Sequence, residues 1–196
     1  MKKTKDTATQ PANSGKLSAS DIRKLINQSN GSDICYDLTK TNPTDVKLWI
    51  PTGSRYLDSI ICKGQRAGIP VGKVCGISGV WSTGKSYLAI QIAINAQKMG
   101  FTVVYFDSES AVDSKFLHDS GLDLEKFVYI QAIDVEFIFE TVESLLGQGE
   151  NFLFIWDSIA NTVCRTEAKL KYEPNATIGL KARIISTALK KLTIPL

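Results

Sequence analysis

Gly79 to Ser86 reads GVWSTGKS, and no other stretch of the chain restricts its possible folds as strongly. It satisfies GxxxxGK[ST] at every fixed position, after an apolar run (Val74 to Ile77) and before an amphipathic one (Tyr87 to Ala96). In that setting the N–H groups of the loop turn inward at phosphate oxygens, and the following helix offers its positive end. Lys85 then reaches the β and γ phosphates, and Ser86 ligates magnesium. The expected nucleotide contacts are Gly79, Val80, Trp81, Ser82, Thr83, Gly84, Lys85, Ser86 and Tyr87, with ATP and Mg2+ as cofactors. The bland alternative, a Gly/Ser-rich turn, does not account for the flanking strand and helix signals.

At 196 residues the chain is long enough for one domain with a full core and a small appendage. Its net charge of +3 is too small to argue for nucleic acid by itself, so any basic surface must come from local placement. Cys35, Cys62, Cys75 and Cys164 are widely spaced, with no CxxC pair. That spacing suggests neither a disulfide framework nor a zinc site, and fits idle thiols in a reducing compartment. No apolar run approaches the roughly 18 residues that span a bilayer. MKKTKDTATQ is basic but lacks the apolar core of a signal peptide. A cytoplasmic protein is expected, of a cell or of something replicating inside one.

Residues 1–16 are mostly Lys, Thr, Asn, Ser, Gln and Pro with almost nothing to bury, and read as a disordered tail. From Leu17 a short amphipathic helix is expected, capped by Ser18 or Ser20 and ended by Gly31, with Ile22, Leu25 and Ile26 on one stripe. Such a stripe must pack on the core or on another subunit. Leu48 to Ile50 reads as a strand, TGSRYLDSII as a turn and short helix, and Val71 to Ser78 as the first core strand. Helices follow at Tyr87 to Met99, Lys115 to Ser120, Val135 to Leu146 and Leu180 to Leu192. Strands alternate with them: FTVVYF (Phe101 to Phe106), Val128 to Gln131, and FLFIW (Phe152 to Trp156). The first and last of these are the near-continuous apolar runs of strands buried on both faces. Alternating strands and helices predict an α/β fold, a mainly parallel sheet with helices on both faces.

Ligands of open parallel sheets sit outside the carboxyl ends of the strands, so acids at those ends carry weight. Asp157 follows FLFIW directly, where a carboxylate holds the magnesium shell beside Ser86. Asp107-Ser108-Glu109 ends the neighbouring strand, where a carboxylate polarises the water that attacks the γ phosphate. Spacing alone does not choose between Asp107 and Glu109.

IPTGSRYLDSI, GIPVGKVCGISGVWSTGKS, VVYFDSESAVD, FLFIWDS and GLKARIISTALKKL, in that order, resemble the RecA-type recombinases. The flavour is nearest to the phage (UvsX-like) recombinases that work with a virus's own replication machinery. The likeness covers about Ile50 to Leu192 and implies a P-loop NTPase core of RecA-like fold, with a small helical element before it. The implied divisions are a tail at 1–16, an oligomerisation element at 17–48 and a RecA-like ATPase core at 49–196, incomplete at its C-terminus. The implied activity is that of a DNA-dependent ATPase. It forms a helical homo-oligomeric filament on single-stranded DNA, pairs it with duplex DNA and exchanges strands in recombination and repair. Single-strand-binding and mediator proteins are the implied partners.

By position, Glu109 resembles the family's catalytic glutamate and acts with Lys85. Asp113 matches the acid near the adenine, and Phe116 stands where an aromatic ring stacks on the base. Lys169 to Thr177 matches the first DNA-binding loop, which puts Lys169 and Lys171 at DNA. Arg183 and Lys190 fall where basic residues meet the DNA backbone, and their spacing of seven puts them on one helical face.

The sequence departs from the family pattern in two telling places. Trp81 is bulky for the phosphate loop, and is expected to shield the nucleotide or meet a neighbouring subunit. The family pattern also continues with another core strand, a sensor residue and a second DNA loop, whereas this chain stops at KKLTIPL. A fragment of a longer chain is the favoured reading, a shortened relative needing a partner the other. The rival functions are a helicase-type ATPase on the same core and a fragment that binds nucleotide without turnover.

Overall fold

The computed structural model describes residues 17–64, 68–110, 112–169 and 179–192. The expected tail at 1–16 and most of the expected DNA loop therefore lie outside the described residues. The chain divides into two units, one running to Asp45 and one beginning at Val46.

In the first unit, helix α1 (Ala19–Asn30) begins at a capping box. Ser18 Oγ accepts the Asp21 N–H at 3.2 Å, and the Asp21 carboxylate accepts the Ser18 N–H at 3.2 Å. The Ser18 hydroxyl, which donates to that carboxylate at 2.6 Å, and then the Ser18 N–H hold the Asp21 carboxyl below its ordinary range. Gly31 ends the helix in a left-handed conformation, as the Asn30-Gly31 signal predicts. Arg23 pairs with Asp37 at 3.1 Å, and Asn27 accepts the N–H groups of Ile34 and Cys35, so the chain after the helix folds back along it. Within this unit Ile22, Leu25 and Ile26 stay exposed.

The second unit runs through β1 (Trp49–Ile50), α2 (Arg55–Ile61), β2 (Ile69–Pro70), α3 (Lys85–Lys98) and β3 (Thr102–Asp107). It continues with α4 (Ser114–Asp119), β4 (Phe127–Gln131), α5 (Val135–Leu146), β5 (Phe152–Asp157), α6 (Arg165–Lys169) and α7 (Leu180–Leu192). The order in the sheet is β4-β3-β5, all parallel, with Asp107 opposite both Gln131 and Asp157. The chain leaves β3 for β4 on one side, then crosses to β5 on the other. The sheet therefore has its switch point at the carboxyl end of β3.

Period two sends Val103 and Tyr105 to one face of β3 and Val104 and Phe106 to the other. The first pair packs with Ile90, Ala93 and Ile94 of α3 and Leu117 of α4; the second packs with Ile138, Phe139 and Val142 of α5 and Leu192 of α7. All four strand residues are buried, each contributing on the order of 1.5–3 kcal/mol. A second side of α3, through Ile92 and Ala96, packs on Ile50 and Phe101 under the antiparallel β1–β2 ribbon.

Two expectations need correction. Val71 to Ser78 forms no strand: Val71 N–H bonds Leu48 O at 3.0 Å, but beyond Gly72 the backbone joins no ladder among the described residues. Val74, Cys75 and Ile77 lie exposed, and β-branched residues cannot hold a strand that has no partner alongside. FLFIW does form β5, but all six residues of the strand are only half-buried. Among the described residues β5 is the edge of the sheet, so one flank lacks the neighbour that full burial requires.

Candidate active site

The phosphate loop runs into α3 through Gly84, whose φ of 87° is a left-handed conformation that side chains rarely adopt. A Cβ on Gly79 would stand 3.1 Å from Thr83 Oγ1, tighter than ordinary contact, so that glycine keeps the cradle open. Lys85 Nζ donates to Val80 O at 2.9 Å and Thr83 Oγ1 donates to the same carbonyl at 2.8 Å. The lysine thus folds over its own loop, within reach of whatever the loop holds. Val80 and Ser82 are exposed, and Trp81 is 93% exposed at the tip.

Asp157 meets this loop directly. Its register partner Asp107 shares a face with Tyr105, the face that α3 covers, so Asp157 points at the start of α3. Ser86 Oγ donates to Asp157 Oδ2 at 2.5 Å, and Tyr105 Oη donates to the same oxygen at 2.8 Å. Burial, then the Asp157 carboxylate, hold the Tyr105 hydroxyl far above the ordinary phenol range, so it stays a donor. Two hard oxygens this close suit a small divalent cation that takes its remaining ligands from phosphate and water, as Mg2+ does.

The acids at the carboxyl end of β3 separate by burial. Asp107 is 1% exposed; one of its oxygens accepts the N–H groups of Glu109 and Ser110 at 2.8 Å each. The other takes the Tyr129 hydroxyl at 2.9 Å and the Val112 N–H at 3.4 Å. It is thereby committed to shaping the turn. Glu109 instead stands exposed, its Oε1 accepting from Ser158 Oγ at 2.7 Å and Asn161 Nδ2 at 2.9 Å. The strand ends are stitched by Ser108: its N–H donates to Asp157 O at 2.9 Å, and its hydroxyl to Ser158 O at 2.8 Å.

Farther along, Asp113 caps α4 by accepting the Lys115 N–H at 2.9 Å. Phe116, on that helix, meets Tyr87 with ring centroids 6.3 Å apart at 49°, two exposed rings from different segments. Lys169 ends α6 and is exposed, and Lys171 lies outside the described residues. Arg183 and Lys190 are exposed on α7. Arg183 lines a groove whose opposite wall carries Glu136, Glu140 and Glu143 of α5, so its surroundings are partly acidic.

Sequence reasoning missed Tyr105, Tyr129, Ser158 and Asn161. Tyr105 sits within an apolar run, although a phenol two residues before a strand-end acid shares its face. Ser158 follows Asp157 immediately, a signal available but unused; Asn161 in a polar turn carries none.

Residues 18–196 match the RecA N-terminal domain. The chain belongs to the RecA family. Its α/β sheet with helices on both faces is the RecA-like fold that membership implies. Protein RecA of Aquifex aeolicus is 38% identical over 143 residues, covering 73% of this chain and 40% of that protein. The Streptomyces coelicolor protein is 36% identical over 144 residues, covering 74% and 37%. That of Fusobacterium nucleatum is 32% identical over 173 residues, covering 88% and 44%. The chain thus spans about two fifths of the length of the curated relatives it matches. Among the described residues of this RecA-family chain, no helix is long and apolar enough to cross a membrane.

Proposed function

We propose that this chain is the nucleotide-binding core of a recombinase. In this reading it hydrolyses ATP when bound to single-stranded DNA, assembles there as a filament, and pairs the strand with homologous duplex in recombination and repair. The observation that carries the ATPase part is the convergence of Ser86 on Asp157 across 71 residues, with Glu109 stitched to the next residue, Ser158. Family membership supports the DNA part.

Loop N–H groups and Lys85 bind the triphosphate, Lys85 exchanging Val80 O for a phosphate oxygen. Ser86 and Asp157 hold the magnesium site, and Tyr105 fixes the Asp157 carboxylate. Magnesium, when bound, neutralises charge on the β and γ phosphate oxygens. Glu109 accepts the proton of the attacking water. Phe116, with Tyr87 beside it, stacks on the base, and Asp113 lies near it. Lys169, Lys171, Arg183 and Lys190 meet DNA phosphates, and the exposed stripe of α1 docks on a second copy. A phage-type recombinase of the cytoplasm, working beside single-strand-binding and mediator proteins, is the finer form of the same proposal.

A joint-molecule assay between circular single strands and homologous linear duplex tests it. ATP-dependent joint molecules are expected. Duplex unwinding without pairing would contradict the recombinase assignment and favour a helicase-type ATPase.

A further inference from the structure

Glu109 is held from a direction that the phosphate loop does not explain. Asn161, one of its two donors, belongs to the turn Ile159–Thr162 after β5. Lys181 on α7 closes on that turn: its Nζ donates to Ile159 O at 3.0 Å, Ala160 O at 2.8 Å and Thr162 O at 3.0 Å. An ammonium has three N–H donors, and all three are engaged by carbonyls of one turn. The far end of the turn is also fixed. Thr162 is 2% exposed; its hydroxyl accepts from Trp156 Nε1 at 2.7 Å and donates to Ser158 O at 2.9 Å. Asn161 therefore leaves a turn held at both ends, and its amide reaches Glu109 Oε1 from a set position. Both donors to Glu109 converge on Oε1. No donor among the described residues occupies Oε2, the oxygen that remains for a proton.

We propose that Asn161 is a positioning residue for Glu109, and that Lys181 sets Asn161 by gripping the carbonyls of its turn. The orientation of the Glu109 carboxylate then depends on where α7 sits. This rests on the ATPase reading above. A positioned base contributes on the order of 10²- to 10⁴-fold to such a step, and losing its orientation removes part of that.

The test combines single-turnover ATP hydrolysis with the side-chain amide resonances of Asn161 in the 15N-labelled chain. Asn161→Ala and Lys181→Met should each lower the rate about tenfold and leave half-saturating ATP within about twofold of wild type. Lys181→Arg, which still offers donors to the carbonyls, should recover most of the loss. In a Glu109→Gln background neither substitution should lower the residual rate further, because both act through that carboxylate. The Asn161 amide resonances should move on Glu109→Ala and on Lys181→Met, whether or not ATP is present. Unmoved resonances, or additive rate losses, would overturn the proposal. An inactive Glu109→Gln beside an unimpaired Asn161→Ala would overturn the positioning role alone, whereas Glu109→Gln at the wild-type rate would overturn it together with the ATPase reading.

Discussion

The Tyr105 hydroxyl donates to Asp157 Oδ2 at 2.8 Å, the same carboxylate oxygen that takes the Ser86 hydroxyl at 2.5 Å. A buried phenol on the central strand thus orients the acid that faces the phosphate loop. Tyr105→Phe keeps the ring packed among Ile90, Val103 and Leu117 and deletes only that donor. The Mg2+ concentration for half-maximal ATP hydrolysis should rise about tenfold, equivalent to roughly 1.4 kcal/mol for a hydrogen bond to a charged group. A magnesium titration at saturating ATP reads it directly.

Asp107 answers to stability. Its carboxylate satisfies three backbone N–H groups and the Tyr129 hydroxyl while 1% exposed. Asp107→Asn replaces one acceptor with a donor, leaving buried partners unmatched at a net cost of about 2 kcal/mol. Thermal denaturation should fall by roughly 4–8 °C, on the scale of about 2–4 °C per kcal/mol for a chain of this size. Amide exchange at Glu109 and Ser110 should accelerate.

The Cys164 thiol gives a pH signature. Burial, and then the Glu167 carboxylate it donates to at 3.1 Å, push it up to about 11 from an ordinary 9.0. A folded-state value above the unfolded one contributes stability that is fully present below about pH 9 and disappears as pH rises through about 11. The stability gap between wild type and Cys164→Ala in urea denaturation should therefore narrow across that window, and alkylation of the folded protein at pH 8 should be slow.

Much of the architecture was legible because hydrophobic period is a local property. Val135–Leu146 and Leu180–Leu192 form helices with the bounds their patterns imply, and FTVVYF forms the central strand. Val71 to Ser78 misled because its residue types favour a strand, while a strand exists only with a neighbour, which is not a local property. In the candidate site the fixed spacing of the phosphate motif marks Lys85 and Ser86, and strand ends mark Asp157. Spacing alone leaves Asp107 and Glu109 open, the family resemblance points to Glu109, and burial commits Asp107 to the turn. Asn161 and Lys181 reach the site only through tertiary contacts spanning 52 and about 20 residues, and no pattern along the chain encodes those.

The paired rings of Tyr87 and Phe116 predict how the base is held. Phe116→Ala should weaken binding of a fluorescent ATP analogue by about tenfold, since base stacking is worth roughly 1–3 kcal/mol. Phe116→Tyr should bind as wild type, and inorganic triphosphate should not distinguish the variants.

Central to the account is Glu109 as the group that activates water, and Glu109→Gln tests it most directly. The substitution keeps the side chain's shape and its capacity to accept from Ser158 and Asn161, and removes its capacity to take a proton. Equilibrium binding of ATP should stay within about twofold of wild type, while DNA-stimulated phosphate release falls by at least about 100-fold, the lower range for a general base. DNA-stimulated turnover at the wild-type rate in this variant would contradict the account.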